Sequence, residues 1–217
     1  MSIVRKVRSV EKLFSKTDQD IIRFHAASGL HCLAGCGACC TKPDIEATAL
    51  EFLPFAYRSF KEGKAHALLD KLKEHGSTIC LLYAPSSPDK KSGKCSQYVF
   101  RGLICRLFGF SAMKDKHGQP SLVTCSRIKE NQKTEYANAI NMLKAGSSVP
   151  VMSNYYSRLM QIDLELGAKF YPINEALRRA VESVLHYYAY RKPPKILRKS
   201  VQVKSMDLTR KNNVSGF

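Results

Sequence analysis

Four of the eight cysteines in this 217-residue chain fall within nine positions, in the run Cys32-Leu-Ala-Gly-Cys36-Gly-Ala-Cys39-Cys40. No other feature restricts the fold as strongly. A disulfide needs two sulfurs with matched Cα separation and direction, whereas thiols this close mostly supply soft ligands to one or two small centres. Cys36-Gly-Ala-Cys39 has the two-residue spacing that wraps a backbone knuckle around one metal, and Gly35 and Gly37 can take the positive φ of such a turn. With Cys32 the run is comparable to the closely spaced cysteines of iron-sulfur proteins, with a fourth ligand expected from a distance. Cys40 is the awkward member, because adjacent side chains diverge and seldom bind one ion together. It is expected to serve a different iron, a second metal or none. A packing role suits Cys80, Cys105 or Cys125 taken singly, since free cysteine is a common buried residue, but a glycine-rich loop is a poor place for a core.

Length and composition allow a core without metal: 44% of the residues are hydrophobic, ordinary for a globular domain of this size. Metal is therefore expected to have a function beyond replacing a core. Lys and Arg total 35 against 18 Asp and Glu, and the resulting +17 favours anionic partners such as nucleic acid or an acidic protein surface. Residues 191–217 carry eight of the cations against Asp207 alone. This basic tail has Val and Leu rather than a series of rings for base stacking, so it implies nonspecific attraction to nucleic acid, or simply a solvated tail. No window approaches the ~18–20 apolar residues needed to cross a bilayer, and the first eight residues lack the apolar core of a signal peptide. The expectation is a cytoplasmic protein with no membrane partner, where reducing conditions favour metal or redox chemistry over disulfides.

Thr17-Asp-Gln-Asp20 reads as a helix start, with Ile21, Phe24 and Ser28 on one face and a stop at Gly29. Thr48-Ala-Leu-Glu51 fits a capping box, followed by an apolar segment that Pro54 should kink near Leu53. Ala65, Leu68, Leu69 and Leu72 mark a further helix closed by His75 and Gly76. The short apolar runs 79–83 and 121–125 read as strands or extended segments. Helical spacing returns in Tyr136, Ile140 and Leu143, in Met152, Tyr155, Leu159, Ile162 and Leu166, and, after Pro172, in Ile173, Leu177, Val181, Val184 and Tyr188. The fold class is mainly α with a few short strands (α+β): a cysteine-rich metal-binding core plus carboxyl-terminal helices. The expected division is an amino-terminal helical segment over 1–30 and a cysteine-cluster region over 31–128. A helical region packs on it over 129–190, and the basic tail over 191–217 is extended or disordered.

The cysteines beyond Cys40 extend the pattern. Cys80-Leu-Leu-Tyr83, then Cys95-x-x-Tyr98-x-x-Arg101, then Cys105-Arg106 follow the Cys-x3-Cys-x2-Cys-Cys run in order. This set resembles the cysteine-cluster family of zinc- or iron-chelating proteins, the YkgJ-like group with its CxxxCxxCC motif, over roughly residues 30 to 110. Cys125 is a plausible eighth member. Gly102 departs from the family, which usually has proline after the arginine. The resemblance implies metal ligation by Cys32, Cys36, Cys39, Cys40, Cys80, Cys95, Cys105 and Cys125. Its members are described as iron-sulfur oxidoreductases by analogy, and a related cluster occurs in a flagellin lysine methylase.

All-thiolate ligands suit an iron-sulfur cluster or tetrahedral zinc. Zinc sites often use two separated Cys-x2-Cys knuckles and this chain has one, which favours iron-sulfur, with a four-iron, four-sulfide cluster as the expected cofactor and zinc as the alternative. The corresponding functions are an iron-sulfur protein with a redox or enzymatic role and a redox or protein partner, or a structural zinc protein that binds an anionic partner. Cys32-x3-Cys36-x2-Cys39 also has the spacing of radical S-adenosylmethionine enzymes, but Ala38 stands where those carry an aromatic, and the helix-rich chain lacks their alternating strands. His25, His31, Glu46 and Glu51 are the candidates for a base beside an open metal position. A histidine with no metal role and a helix-capping Glu51 are the plainer readings. Arg101 and Arg106 alternate with Cys95 and Cys105, and so are candidates to offset thiolate charge or hold an anionic substrate. Tyr98 reads as a packed aromatic.

Overall fold

The computed structural model of the protein describes residues 1–33, 35–86 and 92–194. All but the first four residues of the basic tail lie outside the described residues. Helix α1 spans Ile3–Ser28, capped at its start by the Ser2 hydroxyl, which accepts from the Arg5 N–H, and at its end by left-handed Gly29. It begins well before the start expected at Thr17. Ile3, Val7, Val10, Phe14, Ile21 and Phe24 form one continuous buried stripe. Thr17 lies within that stripe, and its hydroxyl donates to the Leu13 carbonyl at 2.8 Å instead of capping.

The chain continues through β1 (Glu46–Thr48), a 3-10 turn over Ala49–Phe52, α2 (Leu53–Lys61) and α3 (Ala65–Glu74). The Thr48–Glu51 capping box forms, and Pro54 sits in the first turn of α2, where the 3-10 turn becomes α-helix. Strands β2 (Tyr83–Pro85) and β3 (Gly93–Cys95) form one antiparallel pair, with Tyr83 opposite Cys95. Next come α4 (Leu103–Leu107) and the antiparallel pair β4 (Ser111–Lys114) and β5 (Pro120–Val123). The remaining elements are α5 (Ser126–Asn131), α6 (Lys133–Lys144), α7 (Met152–Ile162), α8 (Leu164–Gly167), β6 (Phe170–Pro172) and α9 (Ile173–Tyr188). The protein is thus mainly helical with a few short antiparallel strands. No helix of the described residues is long and apolar enough to cross a membrane.

The 79–83 run is not a strand up to Tyr83. The Asn174 side chain accepts from Leu81 N–H and donates to the Ser77 and Ile79 carbonyls, so these backbone groups bond a side chain rather than a ladder. β1 pairs antiparallel with β6, Ala47 opposite Tyr171, and this long-range pairing fixes where α9 begins. The carboxyl-terminal helices do not make a separate bundle. α9 packs across α2, α3 and the 3-10 turn, α7 lies on α1, and α6 touches α1 and β5. Leu50, Leu53, Leu103, Leu107, Leu159 and Leu177 meet in one shared apolar core.

Glu51 crosses that core with no exposure to solvent. Its Oε1 accepts from Thr48 N–H at 2.8 Å and its Oε2 accepts from Ile104 N–H at 2.9 Å, joining the start of the 3-10 turn to the start of α4. Burial pushes its carboxyl pKa up, and the hydrogen bonds from Thr48 and Ile104 oppose that push. Gly102 makes room for it: a Cβ there would lie 3.0 Å from Glu51 Oε2. Glu51→Ala strands two buried N–H groups and is expected to cost roughly 2–5 kcal/mol in urea unfolding. A loss below about 0.5 kcal/mol, the range of surface substitutions, would contradict this role.

Candidate metal centre

The eight cysteines are all free thiols. They arrive on five segments, and those carrying Cys32, Cys80 and Cys105 are held by side chains from elsewhere in the fold. The first begins at Gly29, where α1 stops. Gln132, 6% exposed at the corner between α5 and α6, binds the His31 backbone twice: its Oε1 accepts from His31 N–H at 2.9 Å and its Nε2 donates to the His31 carbonyl at 2.7 Å. The side-chain amide thereby takes the place of a strand partner just before Cys32. Within the loop Cys40 N–H bonds the Gly37 carbonyl at 2.9 Å, and a 3-10 turn runs over Ala38–Thr41.

The loop lies against the β2–β3 pair. Gly93 N–H donates to the Gly35 carbonyl at 2.9 Å, and Cys80 N–H donates to the Cys40 carbonyl at 3.3 Å. Gly37 has φ +57°, and a Cβ on it would fall 2.7 Å from both the Gly93 oxygen and the Tyr83 ring. Gly93 is equally confined, its virtual Cβ 2.4 Å from that ring. Cys80 sits in the segment pinned by Asn174, Cys95 ends β3, and Cys105 lies in α4, whose first turn is held by Glu51. Cys125 is the residue preceding α5.

Cys39 acts electrostatically on Cys32, Cys80, Cys95 and Cys105, and Cys125 acts on Cys32. Burial pushes Cys32 up, and Cys36, Cys39 and Cys125 add to that shift. Burial raises Cys80 to about 11, with contributions from Cys95 and Cys39. Burial also raises Cys105, helped by Cys80, Glu51, Cys39 and Cys95, and it raises Cys95 as well. The adjacent thiols of Cys39 and Cys40 interact, which holds Cys39 below the usual thiol range and Cys40 above it. Cys39 is thus the member that senses both the exposed Cys32 side and the buried Cys80 and Cys105 side. The donors are chemically right for a soft metal, being free thiols carried on a folded scaffold. Among the described residues, no three Cys, His, Asp or Glu side chains already surround one ion position.

Arg101 and Arg106 face α1. Both pair with Asp18, Arg106 by its Nη1 and Arg101 at 3.3 Å, and their guanidinium groups lie over the rings of Phe14 and Tyr98 respectively. Arg101 still exerts a lowering influence on Cys95. Tyr98 is 63% exposed instead of packed in the core, one face covered by Arg101 at 4.0 Å. The spacing of the arginines identified their neighbourhood but not their partner, since Asp18 is on a helix more than eighty residues earlier. His31 is exposed, and its Nδ1 lies 3.2 Å from the Gly29 carbonyl, to which the Nδ1–H tautomer donates. His25 stacks edge-on to Phe110 at 4.1 Å, and its pKa is lowered by burial and by His31. Glu46 is exposed on β1 opposite Pro172.

Three residues that the sequence did not single out hold this site: Gln132, Asn174 and Arg127. Arg127 Nη1 donates to Cys36 Sγ at 3.1 Å. Gln132 carried a weak signal, as a polar residue in helical register with Tyr136 and Ile140. Asn174 and Arg127 carried none.

Residues 31–137 match the model of the family named CxxCxxCC, described as “Putative zinc- or iron-chelating domain”. The match starts one residue before Cys32 and extends into α6, so it includes Cys125 along with the other seven cysteines. Neither a curated protein nor a solved structure matches the chain.

Two outcomes are expected of this site. Gly35→Ala and Gly37→Ala share the strain of positive φ, but only the second collides with Gly93 and Tyr83. Gly37→Ala should lower the thermal midpoint and the metal content more than Gly35→Ala, and equal effects would argue against the loop–hairpin contact. Thiols raised by burial are protonated at neutral pH, so a metal must displace their protons. Lower pH strengthens the proton's hold, and Zn2+ affinity should therefore fall as pH falls. Calorimetric titration of Zn2+ in two buffers of different ionisation enthalpy should show proton release, and identical heats in both would contradict it.

Proposed function

We propose that the protein is a metal-binding protein whose cysteines hold an iron-sulfur cluster, a reading supported by the match of residues 31–137 to the CxxCxxCC family model. The observation that carries the reading is that free thiols sit on segments the fold ties together: Cys80 N–H bonds the Cys40 carbonyl, and Gly93 N–H, two residues before Cys95, bonds the Gly35 carbonyl. The donors are sulfurs, and His25 and His31 are turned to Phe110 and to the Gly29 carbonyl. The single Cys36–Cys39 knuckle favours a cluster over a two-knuckle zinc site. When bound, such a cluster supplies one-electron transfer. The chain's own residues supply the ligands and exclude water on the Cys80 side, which is buried. They also fix the ligand backbone through Gln132, Asn174 and Glu51. We propose Cys32, Cys36, Cys39 and Cys40 as the near ligands and Cys80, Cys95, Cys105 and Cys125 as the source of the distal ones.

A second reading rests on the +17 charge: zinc at the same thiols, stabilising a protein that binds an anionic partner. One experiment separates the two. Protein purified without oxygen is assayed for iron, acid-labile sulfide, zinc and visible absorption. Iron and sulfide in matching amounts, with a broad visible band bleached by dithionite, are the expected result. Colourless protein with stoichiometric zinc and no sulfide would end the iron-sulfur reading in favour of zinc.

A further inference from the structure

We infer that Arg127 is a positioning residue of the metal centre, whose guanidinium orients the Cys36 sulfur as a ligand and offsets charge gathered by the thiolates. The inference rests on the reading of the cysteines as metal ligands. Its geometric basis is the 3.1 Å bond from Arg127 Nη1 to Cys36 Sγ. Arg127 is half-buried and two residues beyond Cys125, so one short stretch carries both a thiol and the cation facing another thiol. The opposite end of α5 is tied to the same loop, where Gln132 makes its paired bonds to His31. On the next helix, α6, Asn138 donates to the Ala27 and Ser28 carbonyls at the end of α1. The helix bearing Arg127 is therefore joined to the cysteine segment near both ends, by Arg127 at Cys36 and by Gln132 at His31.

Charge separates Arg127 from the other arginines near the site. Arg101 and Arg106 share the single carboxylate of Asp18, which offsets one of their two charges. Among the described residues, Arg127 has no carboxylate partner, and its contact is with the sulfur. A guanidinium stays charged at any pH the protein meets, and it donates in a fixed planar fork, which suits orienting one sulfur. A donor to a ligand atom holds that atom in place and makes the gathering of several thiolates less unfavourable.

The test is titration of the full chain with Zn2+ against a chromophoric chelator. Arg127→Gln is expected to weaken Zn2+ binding by roughly 10–100-fold, the usual effect of losing an outer hydrogen-bond partner of a metal ligand. Arg127→Lys should fall between it and the unaltered protein. Lys129→Gln, which removes the cation over Tyr136 on the same helix, should bind as the unaltered protein does. In a Cys36→Ser background, Arg127→Lys should have no further effect. Unaltered affinity in both Arg127 variants overturns the inference, as does an Arg127→Lys effect undiminished by Cys36→Ser. Absence of Zn2+ uptake by the unaltered chain overturns instead the metal reading beneath it, and the inference with it.

Discussion

Backbone N–H and C=O groups must find partners, and the segments that carry the cysteines are too short and irregular to supply their own. Side chains from elsewhere in the fold do so. Gln132 pairs with His31 ahead of Cys32, Asn174 pairs with residues 77–81 around Cys80, and Glu51 receives the Ile104 N–H beside Cys105. Each of these acts as a substitute strand partner or helix cap. The arrangement of the thiols depends on them, because regular structure reaches only Cys39 and Cys40 in one 3-10 turn, Cys95 at the end of β3 and Cys105 within the short helix α4.

This arrangement also explains why the carboxyl-terminal helices are built into the amino-terminal half. Asn174 can hold the Cys80 segment only if α9 begins beside it, and the β1–β6 pairing secures that start. Gln132 can hold His31 only if the α5–α6 corner rests on the end of α1. The apolar core shared by all these helices packs beneath the polar clamps, with Leu30, Leu50, Leu103 and Leu177 at or near zero exposure. Glu51 illustrates the cost and the benefit together: burying its carboxylate is unfavourable, and two backbone donors offset much of that.

Elements governed by apolar spacing were legible in the sequence. α3, α6 and α9 fall where the period put them, and the Thr48–Glu51 capping box forms as its residues imply, whereas the single run expected from Met152 to Leu166 breaks into α7 and α8 at extended Asp163, whose side chain caps α8. The start of α1 was misjudged because Thr17 looks like a cap, whereas its hydroxyl bonds one turn back and the apolar stripe continues to Ile3. The β1–β6 pair was invisible, since three-residue strands more than a hundred residues apart leave no local pattern. The cysteines announced themselves through spacing. Their supports did not, because Gln132, Asn174 and Arg127 act through single long-range contacts that no periodicity encodes.

The central claim is that the clamped cysteine segments converge to give a metal an all-sulfur environment. X-ray absorption at the edge of the metal that the purified full chain contains reads that environment directly. The account predicts a first shell of sulfur scatterers only, at about 2.3 Å for either thiolate-bound zinc or an iron-sulfur centre. A shell dominated by nitrogen or oxygen at about 2.0–2.1 Å would contradict it.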